Sequence, residues 1–145
     1  MLWLMNAEPI KLLFLCTGNS CRSIMAEAIT NHYSNGRYLA FSAGSAPTGN
    51  VHPIAIETLT RHGIKPNILR SKSWNEFKAK SIDLVITVCD QAASESCPIF
   101  PGQPKKLHWS IPDPAQVEGS EMEINTAFEA VFNQLKQRIE KELLS

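Results

Sequence analysis

The stretch IKLLFLCTGNSCRS, Ile10 to Ser23, decides how this chain of 145 residues is read. Its first part, Ile10 to Cys16, is mostly apolar and ends abruptly, as a buried strand does. The next residues are Thr17, Gly18, Asn19, Ser20, Cys21, Arg22 and Ser23. They pack poorly and bind anions well. Then SIMAEAITNHY, Ser23–Tyr33, places Ile24, Met25, Ala28 and Ile29 on one helical face. A strand, a short polar loop with a glycine and a helix N-terminus together make an anion-binding site, because backbone N–H groups and the helix dipole point at the same spot.

The rest of the chain extends this pattern. RYLAFSAG (Arg37–Gly44) reads as a second strand. VHPIAIETLTRHG (Val51–Gly63) reads as a helix, with Pro53 near its start and Gly63 as its stop. SWNEFKAK suggests one or two helical turns. DLVITVCD (Asp83–Asp90) is nearly continuous in apolar residues, as expected of a strand buried on both faces. KLHWS (Lys106–Ser110) is a weaker strand. Ile124, Ala127, Phe128, Val131, Phe132, Leu135, Ile139 and Leu143 form an unbroken helical stripe. Alternating strands and helices predict one α/β domain with a small parallel sheet over residues 1–145, with residues 1–9 as an N-terminal extension. Right-handed crossovers bring the carboxyl ends of the first and third strands together, so Cys16 and Cys89 are expected to be neighbours.

Composition narrows the function. Fourteen basic residues balance fourteen acidic ones, so nothing favours nucleic acid, and anion binding must be local. No segment is apolar for long enough to span a bilayer, and no secretory signal is evident, so a cytoplasmic protein is expected. The four cysteines, Cys16, Cys21, Cys89 and Cys97, are then expected to be reactive rather than structural. Their C-x4-C and C-x7-C spacings lack the C-x2-C knuckle of a zinc site, and no metal is expected.

Within the loop, Cys-x5-Arg (Cys16 to Arg22) is weak alone and strong in its setting. The N–H groups of Thr17–Arg22 are expected to surround a tetrahedral oxyanion, with Gly18 supplying unusual backbone angles. The planar fork of Arg22 would clamp two oxygens, with Cys16 beneath the central atom. The same surroundings predict a strongly depressed Cys16 pKa, with Ser23 donating to its thiolate and Asn19 bracing the loop.

FLCTGNSCRSIMAEA closely resembles the phosphate loop of the low-molecular-weight tyrosine phosphatase fold, and most of all the arsenate reductases built on it. FSAGS (Phe41–Ser45), VITVCD (Val85–Asp90), Cys97–Pro98 and HWSIPDPA (His108–Ala115) extend the resemblance along nearly the whole chain. It implies a four-stranded parallel sheet with helices on both faces. It also implies that Asp113, held between Pro112 and Pro114, is the general acid/base that protonates a leaving oxygen. A phosphatase needs only Cys16, Arg22 and Asp113. In the similar arsenate reductases two further thiols complete a relay, and Cys89 and Cys97 match their positions. Cys89 would attack the arsenic adduct on Cys16, and Cys97 would carry the disulfide outward to thioredoxin or to glutaredoxin with glutathione.

One departure is the loop CDQAASESC, which sets Cys89 and Cys97 eight positions apart, slightly longer than in thioredoxin-coupled forms. Its alanines and serines are expected to leave it mobile. Cys21 has no step in the relay and is a candidate for an off-path disulfide with Cys16. Glu27 and Ser42 either support the loop or are an exposed helix glutamate and a strand-end serine. Lys72 stands where relatives that bind a monovalent cation would have an acidic ligand. His32, His52, His62 and His108 are expected to be structural or at the surface, and Trp74 and Trp109 to pack or shield the pocket. The resemblance implies an arsenate reductase, and a monomer is expected. The alternatives are a tyrosine or small-phosphomonoester phosphatase and a non-catalytic anion or thiol sensor.

Overall fold

The computed structural model describes residues 8–66, 68–94 and 98–145. Four parallel strands, β1 (Ile10–Cys16), β2 (Tyr38–Gly44), β3 (Leu84–Thr87) and β4 (Lys105–His108), form one sheet in the order β2-β1-β3-β4. Helices α1 (Arg22–Tyr33), α2 (Pro53–Arg61), α3 (Asp90–Ser94) and α4 (Glu121–Ile139) connect and flank them. The strand β1 lies between two neighbours, which is why Leu12 to Leu15 are fully buried. Its side chains alternate between two cores. Leu12 and Phe14 join Met25, Leu59, Phe128 and Phe132 beneath the three longer helices. Leu13 and Leu15 join Phe77, Ile82 and Phe100 on the opposite face, where the flanking helix is a single 3₁₀ turn, Trp74–Phe77.

Local chemistry sets the element ends. The α4 helix opens with a capping box, in which Ser120 and Glu123 each bond the other's backbone N–H. His52 Nδ1 accepts from Ile54 N–H at the start of α2, one residue before Pro53. Beyond the end of α2, Gly63 takes φ +76° and reverses the chain.

The sheet register places the site. Cys16 lies opposite Gly44, Leu15 opposite Thr87, and Thr87 opposite His108. The carboxyl ends of all four strands therefore share one edge, where parallel α/β sheets bind ligands. The third strand is shorter than its apolar pattern suggests. It pairs only over Leu84–Thr87, and residues 90–94 turn into α3. Gln91, Ala92 and Ala93 are helix formers, and Asp90 suits a first turn. The expected mobile loop therefore begins as a helix, with Ala92 buried at 2% exposure.

Candidate active site

Cys16 ends β1 and Arg22 begins α1, with the anion loop between them. The loop is shaped by what its carbonyls do. Thr17 C=O accepts from Ala46 N–H, and Gly18 C=O from Thr48 N–H and Ser71 Oγ. Ser20 C=O accepts from His52 N–H, and Cys21 C=O from Met25 N–H. With these carbonyls turned outward onto partners, the loop N–H groups are left to face its centre. The left-handed residue is Asn19, at φ +46°. Gly18 is not among the positive-φ glycines, so the expectation that it carries the unusual angles is corrected. Asn19 is fully buried and braces the loop from both ends of its amide. Its Nδ2 donates to Ser23 Oγ at 2.8 Å, and its Oδ1 accepts from Lys72 N–H at 2.9 Å. Ser23 thus holds Asn19 as an acceptor.

Gly44 is required for a different reason. A Cβ there would lie 2.4 Å from Thr17 C=O and 2.9 Å from Cys16 C=O. The glycine of FSAGS lets the end of β2 close against the loop.

Arg22 and Asp113 meet across this loop. Arg22 Nη1 donates to Ile111 C=O at 3.0 Å, and Nη2 lies 3.5 Å from Asp113 Oδ2. Arg22 Nε is buried and unpaired among the described residues. Asp113 Oδ1 accepts from Ala115 N–H at 3.0 Å, and Cys21 Sγ approaches it at 3.8 Å. Burial and the Asp113 charge push the Cys21 thiol up to about 11, which suits a resident that stays protonated.

Cys89 stands two residues beyond β3, buried at 3% exposure. Its sulfur accepts from Ala92 N–H at 3.4 Å and lies 3.7 Å from Thr17 Oγ1. It also stands near enough to Cys16 for each thiol to shift the other's titration, which is the neighbourhood expected from topology. That proximity corrects the expected Cys16 thiolate. The Cys89 hydrogen bond and burial push the Cys16 thiol up, against Arg22 and the Asn19 N–H. The same bond pulls Cys89 down to about 5, helped by Ala92 N–H and Thr17. The two sulfurs share one proton, so the pair loses its first proton readily and its second reluctantly. A cavity of about 530 Å³ is lined by Thr17, Gly18, Arg22, Cys89, Asp90 and Asp113, and a smaller one of about 190 Å³ by Cys16, Cys21, Arg22 and Asp113.

Of the predicted residues, Cys16, Arg22, Asp113, Cys89 and the loop Thr17–Ser23 come together. Cys97 lies outside the described residues. Glu27 is not the exposed helix glutamate that was one of its two readings. It is 7% exposed and accepts from Ser42 Oγ at 2.5 Å, with Lys72 Nζ 3.8 Å away. Burial raises the Glu27 pKa and lowers that of Lys72. Trp109 packs on Phe14 in the core rather than over the pocket. The sequence reading missed Ile111, whose carbonyl aims Arg22, and Thr17 as a Cys89 neighbour. Neither carried a local signal, because both contacts arise between segments distant in the chain.

The sheet, the loop and the Cys–Arg–Asp constellation agree with a known family. Residues 11–144 match low molecular weight phosphotyrosine protein phosphatase. The chain belongs to this family. Several of its relatives are named arsenate reductase, and a low molecular weight protein tyrosine phosphatase from T. tengcongensis also superposes, with a TM-score of 0.73 at 27% identity, covering 91% of this chain and 96% of that one. An arsenate reductase of Shouchella clausii is 37% identical over 128 residues, 88% of this chain and 91% of its own. The crystal structure of an arsenate reductase from Archaeoglobus fulgidus superposes with a TM-score of 0.74 at 26% identity, covering 92% of this chain and 99% of that one. A thioredoxin-dependent arsenate reductase of Corynebacterium glutamicum gives a TM-score of 0.62 at 26% identity, covering 96% of this chain and 66% of its own. Among the described residues no helix is long and apolar enough to cross a membrane.

Proposed function

We propose that this chain is an arsenate reductase in which Cys16 and Cys89 supply the two electrons. The observation that carries the reading is a second thiol inside the oxyanion site, Cys89, whose sulfur lies 3.7 Å from the hydroxyl of Thr17, the residue next to Cys16. Phosphate-ester hydrolysis uses one thiol, whereas reduction of As(V) to As(III) consumes two.

Arsenate enters the loop and is held by its N–H groups and by Arg22, whose unpaired Nε adds a donor. The shared proton moves to Cys89, and the Cys16 thiolate attacks arsenic. A hydroxyl leaves as water with a proton from Asp113, and a Cys16–S–As(V) bond forms. Cys89 then loses its proton to solvent and attacks the Cys16 sulfur. An S–S bond forms, the S–As electron pair stays on arsenic, and arsenite departs. Cys97 attacks Cys89 of this disulfide and frees Cys16. The Cys89–Cys97 disulfide is reduced by an external dithiol, either thioredoxin or glutaredoxin with glutathione. The enzyme works as a cytoplasmic monomer with no bound metal. The same loop and Asp113 also suit slow hydrolysis of small phosphate esters, since phosphate and arsenate share shape and charge.

Arsenite production with a thioredoxin donor, and separately with glutaredoxin and glutathione, tests the reading. The parent chain makes arsenite with one of them, and Cys16→Ser and Cys89→Ser make none. A Cys89→Ser variant that reduces arsenate at the parent rate removes the second thiol from the path and overturns the proposal.

A further inference from the structure

The residues on either side of Cys89 are held by a side chain from another strand. His108 closes β4, and its ring reaches both the end of β3 and the start of α3. His108 Nδ1 lies 2.7 Å from Thr87 Oγ1, and His108 Nε2 lies 2.9 Å from Asp90 Oδ1. Thr87 and Asp90 bracket Val88 and Cys89, so one imidazole spans the short segment that carries the thiol. The backbone continues the same tie, since Trp109 N–H donates to Thr87 C=O at 2.8 Å.

Ring chemistry makes this bridge persistent. A carboxylate only accepts, so Nε2 carries the hydrogen toward Asp90. In the neutral ring, Nδ1 accepts from the Thr87 hydroxyl. In the charged ring, Nδ1 donates to it, and the hydroxyl turns to Leu107 C=O at 3.5 Å. Both contacts survive either state. Asp90 is held in its charged form by His108, with Ser110 and Arg22 adding to the effect.

The position of this bridge matches no need for stability. The side chains of Asp90 and His108 are 78% and 35% exposed, and exposed pairs of this kind contribute little to folding. What it does tie together is the residues on either side of Cys89. Nucleophilic attack on a sulfur depends steeply on the placement of the attacking thiol.

We propose that His108 is a positioning residue for Cys89, holding the residues on both sides of that thiol so that it stands aligned with Cys16. This rests on the two-thiol reading above, yet the geometry can be tested without arsenate. All measurements use the full chain carrying Cys97→Ser, so that a Cys16–Cys89 disulfide accumulates and can be mapped by mass spectrometry. A diazenedicarboxamide oxidant takes two electrons from the thiols, forming the disulfide and the hydrazine. His108→Ala should close the Cys16–Cys89 disulfide about tenfold more slowly than its parent. His108→Gln, which keeps a donor for Asp90, should recover most of the rate. Affinity for inorganic phosphate should stay within about twofold in both, because the loop does not depend on the bridge. Closure by His108→Ala at the parent rate overturns the proposal, as does an equal loss in phosphate affinity, which would mark general disruption. In single turnovers with arsenate, release of arsenite should slow by the same factor. If the parent releases no arsenite while the oxidant still separates the variants, the reductase reading fails and the positioning role stands.

Discussion

Cys89 owes its low pKa first to a hydrogen bond from Cys16, so the two thiols should be separable by mutation. Cys16→Ala removes that donor, and the Cys89 pKa should rise from about 5 toward the ordinary thiol value. Thiolate absorbance followed against pH reads the shift, and an unchanged Cys89 would contradict the shared proton. The pair also shapes stability. A depressed Cys89 contributes stability that is complete above the unfolded thiol pKa and is lost as pH falls toward 5. Cys16 and Cys21 are raised, so their contribution is present below the unfolded value and is lost as pH rises above it. The thiols together should make stability to urea rise from about pH 5 to about 8.5 and decline beyond, and substituting all three by serine should flatten that profile. Two positions show why the sequence was read only partly at this scale. Asn19 was legible as a brace because its left-handed tolerance is intrinsic to the residue. The charge on Cys89 was not, because it depends on a sulfur 73 positions away in the chain.

Among the elements, the strand–loop–helix unit from Ile10 to Tyr33 was legible almost to the residue, since its signals are contiguous. The α3 turn was not. Its apolar and polar residues continue the strand pattern of VITVCD, and the chain's exit from the sheet is marked by hydrogen bonds, from Ala92 N–H to the Cys89 sulfur and from Ala93 N–H to Cys89 C=O. The role of Gly44 was likewise hidden, because the carbonyls it must clear belong to another element. Gly44→Ala should push the end of β2 off the anion loop, costing about 2 kcal/mol in urea unfolding and weakening phosphate binding together. Normal phosphate affinity in a folded Gly44→Ala variant would show that the close approach does not shape the loop. The Glu27–Lys72 pair sits between α1 and the segment that bonds Asn19, with both side chains under 10% exposed. Lys72→Met strands a buried carboxylate and should cost about 3 kcal/mol, of which Glu27→Gln in the same chain recovers a large part. Additive losses in the double variant would show that the two charges do not act as a pair.

At the scale of the whole molecule, three helices and a parallel sheet bring four strand ends to one edge, and the chemistry gathers there. The α/β architecture and the meeting of Cys16 with Cys89 followed from alternation and handedness, which are global rules that any such chain obeys. The cover on the second face was legible only as the one or two helical turns read in SWNEFKAK, because the 3₁₀ turn Trp74–Phe77 is too short for a periodic signal. With zero formal net charge, oxyanion binding rests on the loop and Arg22 rather than on a long-range field. Phosphate at about a hundred times its Kd should therefore raise stability by about 2.7 kcal/mol, and Arg22→Ala should abolish the gain.

The central claim is that this fold holds both electrons for reduction of one arsenate. The most direct measurement is a single turnover. The chain is fully reduced, freed of reductant and mixed with excess arsenate, and arsenite and remaining thiols are counted. The account predicts about one arsenite per chain with two thiols lost, and the disulfide mapping to Cys89 and Cys97. No arsenite until an external thiol is added, with all four cysteines still reduced, would contradict it.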